Sequence, residues 1–184
     1  MKIKIFFVYI ALFVTFPAYA DLNDGIAAVK RGDYTRAELE LLPIAEKGDI
    51  KAQFMLGAMY KLQKNLDKAL YWLHRSAEQG YGDGQAGLGF ALLENGKNVN
   101  DALAWCQKSA FNKNAMGQIC MGHIYAEGIG VTKNGAEAER WYLQSASQGN
   151  PDHQLLLADL YGSGRGITKD DVKAHKWYAK AAEQ

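Results

Sequence analysis

Four segments of the chain share one spacing of apolar, small and polar residues. In "QFMLGAMY", Gln53, Leu56, Gly57 and Tyr60 stand at positions 0, +3, +4 and +7. Gln85, Leu88, Gly89 and Leu92 repeat the spacing, as do Gln118, Met121, Gly122 and Tyr125, and then Gln154, Leu157, Ala158 and Tyr161. Those offsets share one face of an α-helix. The small residue at the third place lets a second helix approach closely. A second block follows each time: Ala69, Trp72, Ala77; Ala102, Trp105, Ala110; Ala138, Trp141, Ala146; Ala174, Trp177, Ala182. It too has helical spacing, and it holds all four tryptophans of the protein. A fifth copy, Ala37 and Ala45, precedes these with Glu40 in the tryptophan slot. From Ala37 through Ala69, Ala102 and Ala138 to Ala174, the steps are 32, 33, 36 and 36 residues.

Turns punctuate the pattern. Gly80 and Gly149 each follow a closing alanine by three residues, where a left-handed helix C-cap is expected. Within a repeat, "EGIGVTKNG" and "GSGRGITKDD" supply longer turns, while "KLQKNLD" and "LENGKNVND" are shorter and explain the shorter upstream period. Pro43 falls inside the first Ala-to-Ala helix, where proline costs about 3 kcal/mol unless the helix kinks or restarts, so a kink is expected in an atypical capping repeat. One helix pair cannot bury its own apolar stripe, whereas a stack of three or more buries a continuous core. The pattern therefore predicts an all-α fold, an α/α superhelix (solenoid) of about five helix-turn-helix repeats without β-sheet. Trp72, Trp105, Trp141 and Trp177 are read as inter-helix core.

The N-terminus lies outside this frame. Lys2 and Lys4 precede an apolar run from Ile5 to Phe16, and Ala18-Tyr19-Ala20 has the small-x-small spacing of a signal-peptidase site. Twelve apolar residues fall short of the ~20 that a membrane span needs. The expected organisation is thus a signal peptide over 1–20 and a repeat domain over 21–184, with the mature protein exported to the periplasm or beyond. Cleavage would also change the charge. The full sequence has 21 Lys and Arg against 20 Asp and Glu. Without Lys2 and Lys4 the balance is 19 to 20, or −1. That balance argues against nucleic acid and anionic membrane as main partners.

The pattern "AQxxLGxxY…GxGVxxDxxKAxxWYxKAAEQG" resembles the Sel-one-like repeat family, relatives of tetratricopeptide repeats. "HQLLLADLYGSGRGITKDDVKAHKWYAKAAEQ" matches it closely, and the resemblance runs from about Gly32 to Gln184. It implies antiparallel helix pairs in a right-handed superhelix with a concave binding face. It also implies adaptor roles, often in bacterial envelopes. Fold alone does not name a function.

Cys106 and Cys120 lie 14 residues apart, as do Leu73 and Gly87, and Tyr142 and Leu156, at the same two slots of neighbouring copies. The slots describe one packing position between the second helix of a repeat and the first helix of the next. Two cysteines there in an exported protein point to a disulfide; the alternative is a pair of buried free thiols.

Catalytic signatures are absent from the sequence: it has no GxSxG elbow, HExxH pair or Walker loop. "YGSGRGITK" resembles a phosphate loop, yet Gly162, Gly164 and Gly166 fall in the same intra-repeat turn as Gly128 and Gly130. His74, His123, His153 and His175 share no register, so no metal or other cofactor is expected. Asp170 and Asp171 stand where a helix N-terminus needs acceptors. Two functional classes follow. The first is an exported, non-catalytic module that binds a protein or peptide. The second is a weak hydrolase of the β-lactamase type, as described for cysteine-rich members of the resembled family; those carry a cysteine pair in each repeat, and this protein has one pair in all. The slot after Gly57 reads Ala58, Phe90, His123 and Asp159 along the stack, and the slot two after Tyr60 reads Leu62, Glu94, Glu127 and Ser163. These slots change chemistry between repeats while the core slots do not. They are the candidate partner-binding positions, with Phe90 foremost because aromatics are enriched at binding hot spots.

Overall fold

The computed structural model describes residues 21–96 and 98–184; the expected signal segment lies outside the described residues. Those residues form ten helices and no strand. They pair in sequence order: α1 (Leu22–Arg31) with α2 (Tyr34–Glu46), α3 (Ile50–Leu62) with α4 (Leu66–Glu78), α5 (Gly82–Asn95) with α6 (Val99–Phe111), α7 (Ala115–Glu127) with α8 (Gly135–Ala146), and α9 (Pro151–Ser163) with α10 (Asp171–Ala182). Polar caps set the starts. The side chains of Asp49, Asn65, Asn114, Asn134, Asn150 and Asp170 each accept a backbone N–H of the first turn. Left-handed residues end the helices: Gly80 and Gly149 have φ of 87° and 96°, as expected, and Lys113 occupies the equivalent position with φ of 60°. Pro43 stands inside α2, which runs on through it to Glu46 without restarting.

A close approach holds each of the first four pairs together. A Cβ added at Gly25, Gly57, Gly89 or Gly122 would come within 2.5, 2.5, 2.3 or 2.7 Å of Leu41, Leu73, Cys106 or Tyr142 respectively. Gly25 carries the small-residue slot of the first-helix pattern into α1, a copy the spacing alone did not reveal. Between repeats, α4 packs on α5 and α6 on α7. The first helices also pack on one another, α1 on α3, α3 on α5 and α5 on α7, while the second helices do not do so to a comparable extent. The closer row is the inner row of a curved stack. α9 breaks the series, leaning on α8 and making at most marginal contact with α7.

Buried glutamines tie the repeats. Gln53 Nε2 donates to the Ala45 carbonyl (3.0 Å), Gln85 Nε2 to Ala77 (3.3 Å) and Gln154 Nε2 to Ala146 (3.4 Å), a second donor to helix-end carbonyls that already accept the N–H of Gly48, Gly80 and Gly149. Their Oε1 atoms need donors in turn. Gln79 supplies one to Gln53, Gln148 to Gln118 and Gln184 to Gln154. The equivalent position beside Gln85 holds the shorter Asn112, and Gln85 Oε1 is buried without a partner. Serines make a second tie: Ser76, Ser109 and Ser145 donate to the carbonyls of Ile50, Gly82 and Ala115.

The tryptophans pack as expected, Trp72 and Trp141 buried, Trp105 and Trp177 half-buried. A cation lies over each ring: Arg75, Lys108, Arg140 and Lys180 at 5.4, 5.0, 4.7 and 4.8 Å. Cys106 on α6 and Cys120 on α7 form a disulfide with Cα atoms 5.7 Å apart, joining the third repeat to the fourth.

Asn112→Gln is expected to stabilise the protein by about 1 kcal/mol by giving Gln85 Oε1 its missing donor; a midpoint in urea that does not rise would count against this pairing. Replacing both cysteines by alanine is expected to cost roughly 3 kcal/mol, the chain-entropy value for a loop of this size, read from the same denaturation curves under oxidising conditions.

Candidate functional site

The eight variable positions sit on the first helices. Ala58, Phe90 and His123 are half-buried; Leu62, Glu94, Glu127, Asp159 and Ser163 are exposed. The fold brings some of them together. Phe90 and His123 are ring neighbours at 6.3 Å. With Glu127 they line a cavity of about 280 Å³ that lies where α7 and α9 part. Asp159 and Ser163 border an adjoining pocket that shares Leu160 and Arg165 with it. The remaining three stand apart from the cavity. Glu94 pairs with Lys61 (3.2 Å), and Lys61 Nζ lies 5.8 Å from the Phe90 ring centre. Leu62 is 63% exposed near the other end of the row, and Ala58 lies one turn before it on α3.

Sequence reasoning missed the rest of the cavity wall: Ile119 and Ala126 from α7, Tyr142 from α8, Leu156 and Leu160 from α9, and Arg165 from the turn after α9. Tyr142 occupies the slot that reads Leu73 and Cys106 upstream. That change is the visible signal, at a slot that spacing alone marks only as a packing position. The Tyr142 ring lies against Gly122, and the side chain is long enough to reach the inner face. Burial pushes its phenol up to about 12, with Glu127 adding to the shift and Arg165 opposing it. The hydroxyl is therefore a protonated donor at neutral pH.

Two other polar clusters look reactive and are structural. Tyr60 Oη donates to Glu38 Oε1 (2.6 Å), with Lys68 over the ring at 4.6 Å. Tyr161, Glu139 and Lys173 repeat this arrangement at 2.6 and 5.0 Å. Burial, then the hydrogen-bonded carboxylate, drives both phenols far above their ordinary range. The hydrogen bond from Lys173, then that from Tyr161, lowers Glu139. A phenol so raised is no nucleophile, and a carboxylate so lowered is a poor base. At the two middle junctions the same slots hold Leu92 with Leu70 and Tyr125 with Leu103, so these clusters act as alternative ties between repeats. Among the described residues no three His, Cys, Asp or Glu side chains converge in a metal-like group.

A stack of helix pairs with a row of accessible, variable side chains along its inner helices is an α-solenoid of the interaction type. The Sel1 repeat model matches residues 50–81, 82–110, 115–150 and 152–184, and the protein belongs to the Sel1 repeat family. Sel1 repeats serve mostly as non-catalytic scaffolds for protein–protein interaction. Among solved structures, a Sel1 repeat protein from Oxalobacter formigenes is 31% identical with a TM-score of 0.64, over 91% of this protein and 70% of that one. A protective antigen of uropathogenic Escherichia coli strains displaying an SLR fold is 38% identical with a TM-score of 0.57, over 78% of this protein. The present sequence spans 32% of that antigen's length. A comparison with curated proteins returned no match. The family model begins at residue 50 and leaves out the α1–α2 pair, which is closed by the Gly25–Leu41 contact and joins the stack by packing α2 and α1 on α3.

His153 yields a pH prediction. It occupies the slot of Gly84 and Gly117, and its Nδ1 lies 3.1 Å from Ser145 Oγ. Burial lowers its pKa, against the opposing pull of Asp152 and Asp83. The neutral ring is favoured in the folded state, so its contribution is complete above the unfolded value of about 6.5. That contribution is lost as pH falls through the folded value. Stability should therefore decline more steeply from pH 7 to pH 5 in the parent than in His153→Gln, and equal slopes in urea denaturation would refute the assignment.

Proposed function

We propose that this protein is an exported, non-catalytic interaction module that binds a protein or peptide segment along the inner face of its first helices. The observation that carries the reading is the row from Ala58 and Leu62 through Phe90, Glu94, His123 and Glu127 to Asp159 and Ser163. It is accessible throughout and varies inside an otherwise repeated frame. Export is supported by the basic, apolar and Ala-Tyr-Ala run of residues 1–20 and by the disulfide, and agrees with the likeness to a protective antigen. The mature protein would work in the periplasm or outside the cell, without cofactor, nucleic acid or membrane contact.

Three measurements test this. Intact mass of the periplasmic protein should correspond to a polypeptide starting at Asp21; retention of residues 1–20 would contradict export by cleavage. Mature protein used as bait should capture a partner, and Phe90→Ala should weaken that capture by about 2 kcal/mol, roughly thirtyfold in affinity, with unchanged circular dichroism. Exposed Leu39 on α2 serves as control, since Leu39→Ala should leave capture intact. Equal capture by the parent and Phe90→Ala would remove the inner face from the reading. Nitrocefin should not be turned over; sustained hydrolysis would favour the weak-hydrolase alternative instead.

A further inference from the structure

The cavity between α7 and α9 has a composition that a docking face for protein alone does not require. Its floor is apolar, made by Ile119, Leu156 and Leu160 beside Phe90. Tyr142 is 5% exposed, and no hydrogen bond among the described residues involves its hydroxyl. The next repeat shows what the same slots do when closed. There Tyr178 Oη donates to Asp159 Oδ1. In the fourth repeat the residue facing Tyr142 is His123, which turns to Phe90 instead. The phenol is left on the cavity wall without a protein acceptor among the described residues, open to whatever enters the cavity, and a bound acceptor can take its hydrogen bond.

Two charges stand with it. Arg165 and Glu127 both line the cavity and both act on the phenol. Neither takes part in an ion pair among the described residues, although both are within reach of one cavity. Donors therefore come from Tyr142 and Arg165, an acceptor from Glu127, and apolar surface from the floor. The volume of about 280 Å³ lies just under the roughly 300–1,000 Å³ of drug-sized ligand sites. It suits a molecule about the size of one residue.

We infer that this cavity binds a free α-amino acid with a large apolar side chain, its carboxylate on Tyr142 and Arg165 and its ammonium on Glu127. The apolar group lies on Ile119, Leu156 and Leu160 under the Phe90 ring. A zwitterion satisfies Tyr142, Arg165 and Glu127 at once. A peptide C-terminus would leave Glu127 without a cation, and a peptide N-terminus would leave Arg165 without an anion. This goes beyond protein docking: the ligand needs no partner protein, so its binding can be measured whether or not a partner is ever captured. Because Phe90 and His123 belong to both surfaces, the amino acid and a protein partner would also compete.

Titration of the ¹⁵N-labelled mature protein with L-phenylalanine and L-leucine tests the inference. Amide shifts should localise to α7, α9 and the turn at Arg165, and saturate with a Kd of about 1 mM or below. N-acetyl-L-phenylalanine stands for a peptide C-terminus and L-phenylalaninamide for a peptide N-terminus. Each should bind about tenfold more weakly, as expected for loss of one charge-assisted hydrogen bond. Tyr142→Phe, Arg165→Gln and Glu127→Gln should each weaken L-phenylalanine by a similar factor, while Tyr178→Phe should leave it unchanged. Tyr142→Phe keeps the ring on Gly122 and so separates loss of the donor from loss of the fold. The inference is overturned by absence of localised shifts at 10 mM ligand (on the order of a tenfold excess over that Kd), by either blocked derivative binding as well as the free amino acid, or by indifference to all three cavity substitutions. Phe90-dependent capture of a partner would be untouched by any of these outcomes.

Discussion

The stack depends on how closely the two helices of a pair can come. At the crossing of each of the first four pairs the first helix offers no side chain, and whatever the second helix carries fills the space directly: Leu41, Leu73, Cys106, then Tyr142. A methyl group there would meet packed atoms and force the pair apart, in an interior with no spare volume to absorb it. The architecture repeats because this contact repeats. The residue that fills it differs from pair to pair, and the local features of the molecule follow from that. Leucine simply packs. Cysteine is short enough to leave its sulfur facing Cys120 on the next helix, and becomes a cross-link. Tyrosine is long enough to pass the crossing and deliver a hydroxyl to the inner face.

Buried polar groups do the joining that apolar contacts leave unspecific. Gln53, Gln85 and Gln154 donate to carbonyls at the ends of preceding helices, and Gln118 is held by Gln148. Gln53 and Gln154 fix the register of one repeat on the next, because an amide held at both ends cannot slide by a residue without leaving atoms unpaired. The third repeat is the imperfect one, with Asn112 too short to complete the set. It is also the repeat carrying the cross-link to its neighbour, so the disulfide reinforces the stack where its hydrogen bonding is incomplete. The Tyr–Glu–Lys ties bracket this middle segment, one at each end.

The interruption between α7 and α9 matters for function in a different way. Upstream, each first helix rests on the one before it, and the inner face is continuous. At the last pair that contact is nearly lost. The longer Gly-rich turns of the fourth and fifth repeats accompany the gap, and Arg165 reaches it from one of those turns. An inner face of uniform helices offers shallow relief; a missing contact in the row creates depth, and depth is what a small ligand needs.

Much of this was legible in order along the sequence. The helices, their pairing, the left-handed glycines at Gly80 and Gly149, the tryptophan frame and the proximity of Cys106 to Cys120 all follow from spacings, because a repeat places equivalent residues in equivalent surroundings. Phe90, His123 and Glu127 were found the same way, as variation against a fixed frame. What spacing could not reveal was which of the variable positions share a volume. The cavity draws side chains from α5, α7, α8, α9 and a turn, and its existence rests on two helices failing to touch. A one-dimensional pattern reports the chemistry that each repeat contributes; the distance between α7 and α9 is set by the summed packing of all their neighbours, and only the tertiary structure decided it.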